Sequence, residues 1–215
     1  MENLSARIFL NELHGNSFFQ MENDAFCALE LFSNQVLEPG ASKSFDGRQE
    51  NCIVILPITG DLVYKGIGVG ADVEVNVGQA FFIKKNCSFQ FSIENPFLDE
   101  QVNFLLLKFA DTAVDEPLEE LIDFDLCISD NKLNKIIPAQ VLPFKLGIGQ
   151  FAGREEVVFP LHNSGIFCYV LSGAFEVQGR LLHANDGLAL WNVPKIEAEA
   201  LSNNAILLTV ELPYI

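Results

Sequence analysis

The sequence predicts an all-β protein built as two barrels in tandem, with short helices in the connection between them. Three observations lead there. Short apolar or alternating runs recur along the chain with Gly, Pro, Asn or Asp between them. Of the 215 residues, 49% are hydrophobic and 19 are Phe, a side chain that fills cores and has no polar handle. The same order of elements occurs twice, once in each half.

In the first half, Ala28 to Phe32 leads to a turn at Leu37-Glu38-Pro39-Gly40. Cys52 to Leu56 is apolar and ends at Thr59-Gly60; Val73 to Val77 alternates and stops at Gly78. Ala80 to Ile83, Phe89 to Ser92 and Val102 to Phe109 complete the set of expected strands. The composition then turns acidic, with Asp115, Glu116, Glu119, Glu120, Asp123 and Asp125 around Pro117. Leu118, Leu121 and Ile122 fall on one helical face, so a short helix is expected after Pro117, and a second over Asp130 to Lys135. In the second half the expected strands are Phe144 to Ile148, Ile166 to Leu171, Ala174 to Val177 and Arg180 to Leu182, then Gly187 to Trp191, Ile196 to Ala200 and Ala205 to Leu212. The repeat is direct: ILPITGDLVYKGIG leading to VNVGQAFFI is answered by CYVLSGAFEVQGR leading to HANDGLALW.

Charge narrows the function. The net charge is -16, with 13 Lys and Arg against 29 Asp and Glu, and no basic run. Direct nucleic-acid binding is disfavoured because phosphates need cations, and an anionic membrane surface is disfavoured for the same reason. The five cysteines, Cys27, Cys52, Cys87, Cys127 and Cys168, are widely spaced and form no CxxC; Cys52, Cys127 and Cys168 sit in apolar runs. They read as reduced thiols in a cytoplasmic protein. The opening MENLSARIFLNELHG has no apolar core of the kind a secretory signal needs, and no apolar run approaches membrane-spanning length.

The repeated unit resembles the cupin pattern, and two such units in one chain resemble the pirin family, above all the bacterial pirin-like quercetinases. The likeness is best over YVLSGAFEVQGRLLHANDGLALWNVPKIEAEALSNNAILLTVELP, and in the first half over ILPITG, DVEVNVGQAFFI and IENP. Met1 to about Ala25 and the connection match poorly. The resemblance implies two jelly-roll barrels, residues 1–110 and 141–215, joined by an acidic connection over 111–140.

It also implies where a metal would sit. In pirin-like proteins the first barrel binds it through a His-x-His pair and a later His and Glu. Counted from Gly60, the first pair falls on Asp46 and Arg48; counted from Gly78 and Asn95-Pro96, the second falls on Phe91 and Ile93. Cys52 stands where the general cupin motif has its glutamate. A catalytic transition-metal site needs several N or O donors at one point. Of these residues only Asp46 is such a donor, and Arg48 brings a permanent positive charge. No histidine lies between His14 and His162 to replace them. In the second barrel the corresponding positions are Pro160, His162, Ile166 and Leu190, and the resemblance implies a metal-free barrel there.

The expectation is therefore a pirin-like bicupin without a metal or other cofactor, non-catalytic, binding a small molecule or a protein partner in a regulatory role. The expected pocket takes in Asp46, Arg48, Cys52, Phe91 and Ile93. The alternative is an enzyme resembling quercetin 2,3-dioxygenase with a displaced site. Plainer readings stand beside each feature: Asp46 and Arg48 as a surface ion pair, Phe91 and Ile93 as core filling, Cys52 as an inert buried thiol, His14, His162 and His183 as ordinary packed or exposed side chains.

Overall fold

The computed structural model describes residues 5–15, 17–19, 25–66, 72–110, 116–125, 131–136, 138, 142–162 and 165–213. The chain is almost entirely strand. It begins with β1 (Ser5–Phe9), one turn of helix α1 (Asn11–His14) and the two-residue β2 (Ser17–Phe18). Next come β3 (Leu29–Leu37), β4 (Ser42–Gly47), β5 (Cys52–Thr59), β6 (Leu62–Gly66), β7 (Val73–Val75), β8 (Gln79–Lys84), β9 (Phe89–Glu94), β10 (Val102–Phe109) and β11 (Leu118–Asp123). The rest of the chain supplies β12 (Asn134–Ile136), β13 (Lys145–Phe151), β14 (Glu156–Pro160), β15 (Gly165–Ser172), β16 (Ala174–Val177), β17 (Arg180–His183), β18 (Gly187–Trp191), β19 (Lys195–Ala200) and β20 (Ala205–Leu212). Among the described residues no helix is long and apolar enough to cross a membrane.

Two compact units result, each a double-sheet barrel. The first unit has an inner sheet ordered β11-β8-β5-β10-β3 and an outer sheet ordered β4-β9-β6-β7. The second has β1-β18-β15-β20-β13-β12 and β14-β19-β16-β17. Every pairing that defines these sheets is antiparallel. Each barrel packs a cluster between its sheets: Ile53, Ile55, Tyr64, Phe81, Phe91, Ile93 and Phe104 among others in the first, Phe151, Ile166, Cys168, Phe175, Leu188 and Leu207 among others in the second.

The duplication is visible residue by residue. β5 and β15 are both eight residues long, with the first six buried in each. β10 and β20 likewise share one burial pattern. Each of β5 and β15 ends at a glycine with positive φ, Gly60 at 74° and Gly173 at 77°. A Cβ at Gly60 would stand 2.6 Å from Val102 Cγ1, and one at Gly173 2.2 Å from Ser202 Oγ. The turn therefore needs glycine for both backbone conformation and space.

Two boundaries differ from the sequence expectation of residues 1–110, 111–140 and 141–215. β1 does not belong to the first barrel; it pairs antiparallel with β18 in the second, from Ser5 opposite Trp191 to Phe9 opposite Gly187. The acidic connection does not form a helix after Pro117. Leu118–Asp123 is β11, paired with β8, with Leu118 opposite Lys84 and Asp123 opposite Gln79. Helical spacing of Leu118, Leu121 and Ile122 lost to an open sheet edge that a strand can complete. Leu118 is buried, whereas Leu121 lies on the exposed side. The second expected helix is also absent, since Asn134–Ile136 is a strand paired with β13; residues 126–130, with Cys127, lie outside the described residues. The sole described helix, α1, stands instead near the start of the chain.

The first strand is held firmly to the second barrel. Phe9, 1% exposed, meets Phe18 at 5.5 Å and the edge of Phe167 at 6.0 Å between ring centroids, and Phe18 reaches Tyr169 at 6.0 Å. The buried carboxylate of Asp186 accepts from the Asn11 N–H and the His183 N–H, both at 2.9 Å. It thus fixes α1 to the β17–β18 turn. Phe9→Ala is expected to destabilise the second barrel by about 3–5 kcal/mol, the usual cost of truncating a buried Phe. Urea denaturation followed by tyrosine and tryptophan fluorescence measures it.

Candidate functional site

The outer sheet of the first barrel decides what its interior contains. β4 and β9 pair with Lys43 opposite Ile93, Phe45 opposite Phe91, Asp46 opposite Gln90 and Gly47 opposite Phe89. β6 pairs on the other side of β9, with Tyr64 opposite Ile93. Directly opposed residues share a face, and successive residues alternate between faces. Phe45, Tyr64, Phe89, Phe91 and Ile93 therefore point inward. Phe91 and Ile93 are fully buried. Phe45 stacks on Phe91 with centroids 5.5 Å apart and planes at 24°, and Phe89 also stacks on Phe91, at 5.8 Å and 29°. Tyr64 meets Phe91 at 5.4 Å and the Phe81 edge at 5.1 Å.

Asp46 faces the other way. It is exposed, and its Oδ1 accepts from Gln90 Nε2 at 2.8 Å on the outer surface of the sheet. Arg48, also exposed, begins a turn that the Asn51 N–H closes by donating to the Arg48 carbonyl at 3.1 Å. Asn51 is fully buried; its Oδ1 accepts from the Arg48 N–H at 3.1 Å and its Nδ2 donates to Glu30 at 3.0 Å. The sequence positions Asp46 and Arg48 thus lie one residue out of phase with the interior. The residues of β4 that face inward at this end are Phe45 and Gly47. Counting from Gly60 crosses this turn, and a one-residue difference there moves every side chain to the opposite face. Gly47 is itself required, because a Cβ would stand 2.4 Å from the Phe89 ring.

Cys52 is also outside this cluster. It is buried, on the face of β5 opposite Ile53 and Ile55, and burial pushes its thiol pKa up to about 12, with Lys84 opposing. Cys168 is likewise buried and pushed up to about 12 by desolvation, and burial raises half-buried Cys27 to about 11. Cys87 is exposed. Of the expected pocket, then, Phe91 and Ile93 come together in the core, Asp46 and Arg48 come to the rim, and Cys52 belongs to neither.

A cavity of about 670 Å³ opens at this end of the first barrel, where Asp46, Gly47, Arg48, Tyr64, Lys85 and Phe89 are among its lining residues. Tyr64 has the most informative position. Its ring is 3% exposed, and its hydroxyl is buried without a hydrogen-bond partner among the described residues. Desolvation raises its pKa. Lys85 pairs with Glu119 of β11 at the rim. Lys108 donates from Nζ to the Asp46 carbonyl at 2.8 Å, with its pKa lowered chiefly by burial. Sequence reasoning missed Phe45, Tyr64 and Phe89; the period-2 alternation of Lys43, Phe45 and Gly47 was the available signal. Among the described residues no three His, Cys, Asp or Glu side chains converge as a metal site.

The second barrel has a smaller cavity of about 250 Å³, and Pro160, His162 and Ile166 all line it. Leu190 is buried in the core cluster instead. His14 packs in α1 against Phe9, with centroids 5.3 Å apart. His183 is exposed on β17 opposite Ala174.

Comparison with known proteins agrees with this architecture. Residues 144–212 match the family model of the quercetinase C-terminal cupin domain. The Escherichia coli pirin YhhW in complex with nickel(II) superposes with a TM-score of 0.84 at 17% identity, over 98% of this chain and 100% of that one. The chain has the two-barrel cupin fold of that pirin. Other solved structures share the fold. YhaK from Escherichia coli gives a TM-score of 0.77 at 18% identity, covering 98% of this chain and 94% of that one. Quercetin 2,3-dioxygenase from Acinetobacter baumannii gives 0.77 at 15%, covering 97% and 79%. No curated protein sequence matches this chain significantly.

The cysteine environments set a direct expectation. Iodoacetamide at pH 8 should modify Cys87 of the folded protein and spare Cys52 and Cys168, while all three react in urea. Peptide mass spectrometry resolves the sites, and fast native-state labelling of Cys52 would contradict its burial.

Proposed function

We propose that this pirin-like bicupin is a non-catalytic, regulatory protein whose first barrel works without a metal and binds a small molecule at its open end. The observation that carries this reading is the inward pair Phe45 and Phe91, with Ile93 beside it. These side chains occupy with hydrocarbon the space that ligating nitrogen and oxygen atoms would need. A divalent cation placed there would lose its hydration and gain at most the neutral Tyr64 hydroxyl. The residues present therefore do not fit the metal. This conclusion is stronger for the shift in register: the inward residues are Phe45 and Gly47, and even the one charged donor, Asp46, turns away.

Ligand binding rests on the cavity and on Tyr64. A buried hydroxyl without a partner costs about 1–3 kcal/mol, which a bound acceptor atom would return. The rim charges, Asp46, Arg48 and Lys85, surround a floor of aromatic rings, the usual mixture for a small-molecule site. The net charge of -16 leaves nucleic acid a poor partner.

The second reading is an enzyme of the quercetin 2,3-dioxygenase type with a displaced site, favoured by the likeness to the Acinetobacter baumannii enzyme. Two measurements separate the readings. Protein purified after exposure to nickel, iron, manganese and copper is expected to retain far less than stoichiometric metal and to leave quercetin unoxidised; stoichiometric metal with quercetin turnover would overturn the proposal. Tyr64→Phe is expected to stabilise the free protein by ~1 kcal/mol in urea denaturation, because it removes an unpaired buried hydroxyl. A loss of similar size would mean that the hydroxyl already has a partner and the cavity floor is closed.

A further inference from the structure

We propose that the second barrel holds a separate binding site, for a small carboxylic acid with an apolar tail. The site is the cavity of about 250 Å³ at one end of that barrel. Strand pairing assembles its polar side. Lys145 of β13 lies opposite Glu211 of β20, which lies opposite Ile166 of β15. One step along, Lys135 of β12 lies opposite Gly147, which lies opposite Thr209. Opposed residues and their i±2 neighbours share a face, so Lys135, Lys145, Glu211 and Thr209 all stand on the face that lines the cavity.

Gly147 keeps the space open. A Cβ there would be 2.8 Å from Thr209 Oγ1, and the Thr209 hydroxyl instead donates to the Gly147 carbonyl at 3.3 Å. His162 enters from the end of the opposite sheet, its backbone N–H donating to Glu211 Oε1 at 2.6 Å.

The charges select an anion. Glu211 is committed to the His162 N–H and lies 3.8 Å from Lys145, while Lys135 has no ion pair with a described carboxylate. Among the described lining residues, two ammonium groups against one carboxylate make a net cationic wall, in a chain that carries 29 acidic residues against 13 basic ones. The remaining walls, Leu133, Phe159, Leu161 and Ile166, are hydrocarbon. A single carboxylate head with an aliphatic tail matches both features, whereas phosphate or a dicarboxylate would leave charge against those walls unpaired.

Octanoate is the probe, measured by isothermal titration calorimetry on the full chain, with octanamide as the neutral counterpart. Saturable binding at one site per chain is expected, with octanamide weaker by about tenfold or more, the size of one charge-assisted hydrogen bond. Lys135→Gln and Lys145→Gln should each weaken octanoate by about tenfold on the same grounds. Arg154→Gln, beside the end of β14 remote from Pro160 and paired with Glu199, should leave it unchanged. Both tested lysines are surface-accessible, so the variants retain the fold, which near-ultraviolet circular dichroism checks. Equal affinity for octanoate and octanamide, full affinity in both cavity lysine variants, or no saturable binding to the wild type would each overturn the proposal.

Discussion

A strand presents its side chains to two faces in turn, and the register of β4 on β9 settles which residues the first barrel keeps inside. With Phe45 opposite Phe91, the interior is aromatic and the polar residues Ser44, Asp46, Gln90 and Ser92 are carried to the outer surface. Everything argued about the first barrel follows from that phase. The filled centre, the rim position of Asp46 and the buried Tyr64 hydroxyl are one arrangement seen from three sides. Slipping β4 by one residue would turn Asp46 into the core and Phe45 into water, at about 1.5–3 kcal/mol for the exposed Phe.

The two barrels have solved the same geometric problem with different residues. In each, the strand after the Gly turn returns to the outer sheet, and the inner sheet needs one more strand beyond β8 or β18. The first barrel takes that strand from the connection, as β11, and the second takes it from the start of the chain, as β1. An inner sheet left with a free edge would present unpaired N–H and C=O groups. Their interiors have diverged: the first barrel packs stacked rings where the second keeps Gly147, Thr209, Glu211 and two lysines around open space.

Most strands were legible because their patterns are local. Val102–Phe109, Ala174–Val177, Gly187–Trp191 and Ala205–Leu212 have the bounds that their apolar runs indicate. The Gly60 and Gly173 turns were legible because few other residues take positive φ in so little space. What failed was non-local. Leu118–Asp123 carries a helical spacing and becomes a strand only because β8 offers an edge. β1 gives no hint in its own residues that its partner is β18. In the candidate site, the hydrocarbon character of Phe91 and Ile93 was readable, but the phase of β4 was not, since it depends on the length of a turn held by Asn51. The polar side of the second cavity was hidden for a related reason: Glu211 is far along the chain from Lys135 and Lys145 and meets them only through strand pairing.

The pairing of β1 with β18 also has a consequence in time. Ile8 and its partner Leu188 are 180 positions apart. At typical translation rates of about 5–20 residues per second, roughly ten seconds or more separate their synthesis. β3 to β11 can close into the first barrel during that interval, because all of those strands precede the second half. The first strand cannot; it waits, with Ile8 and Phe9 uncovered, until almost the whole chain has been made. The nascent protein therefore carries a folded barrel and an unpaired apolar strand together. A strand synthesised before the first barrel is thus paired only after that barrel is complete, which leaves it open to chaperone capture or to pairing with a neighbouring chain.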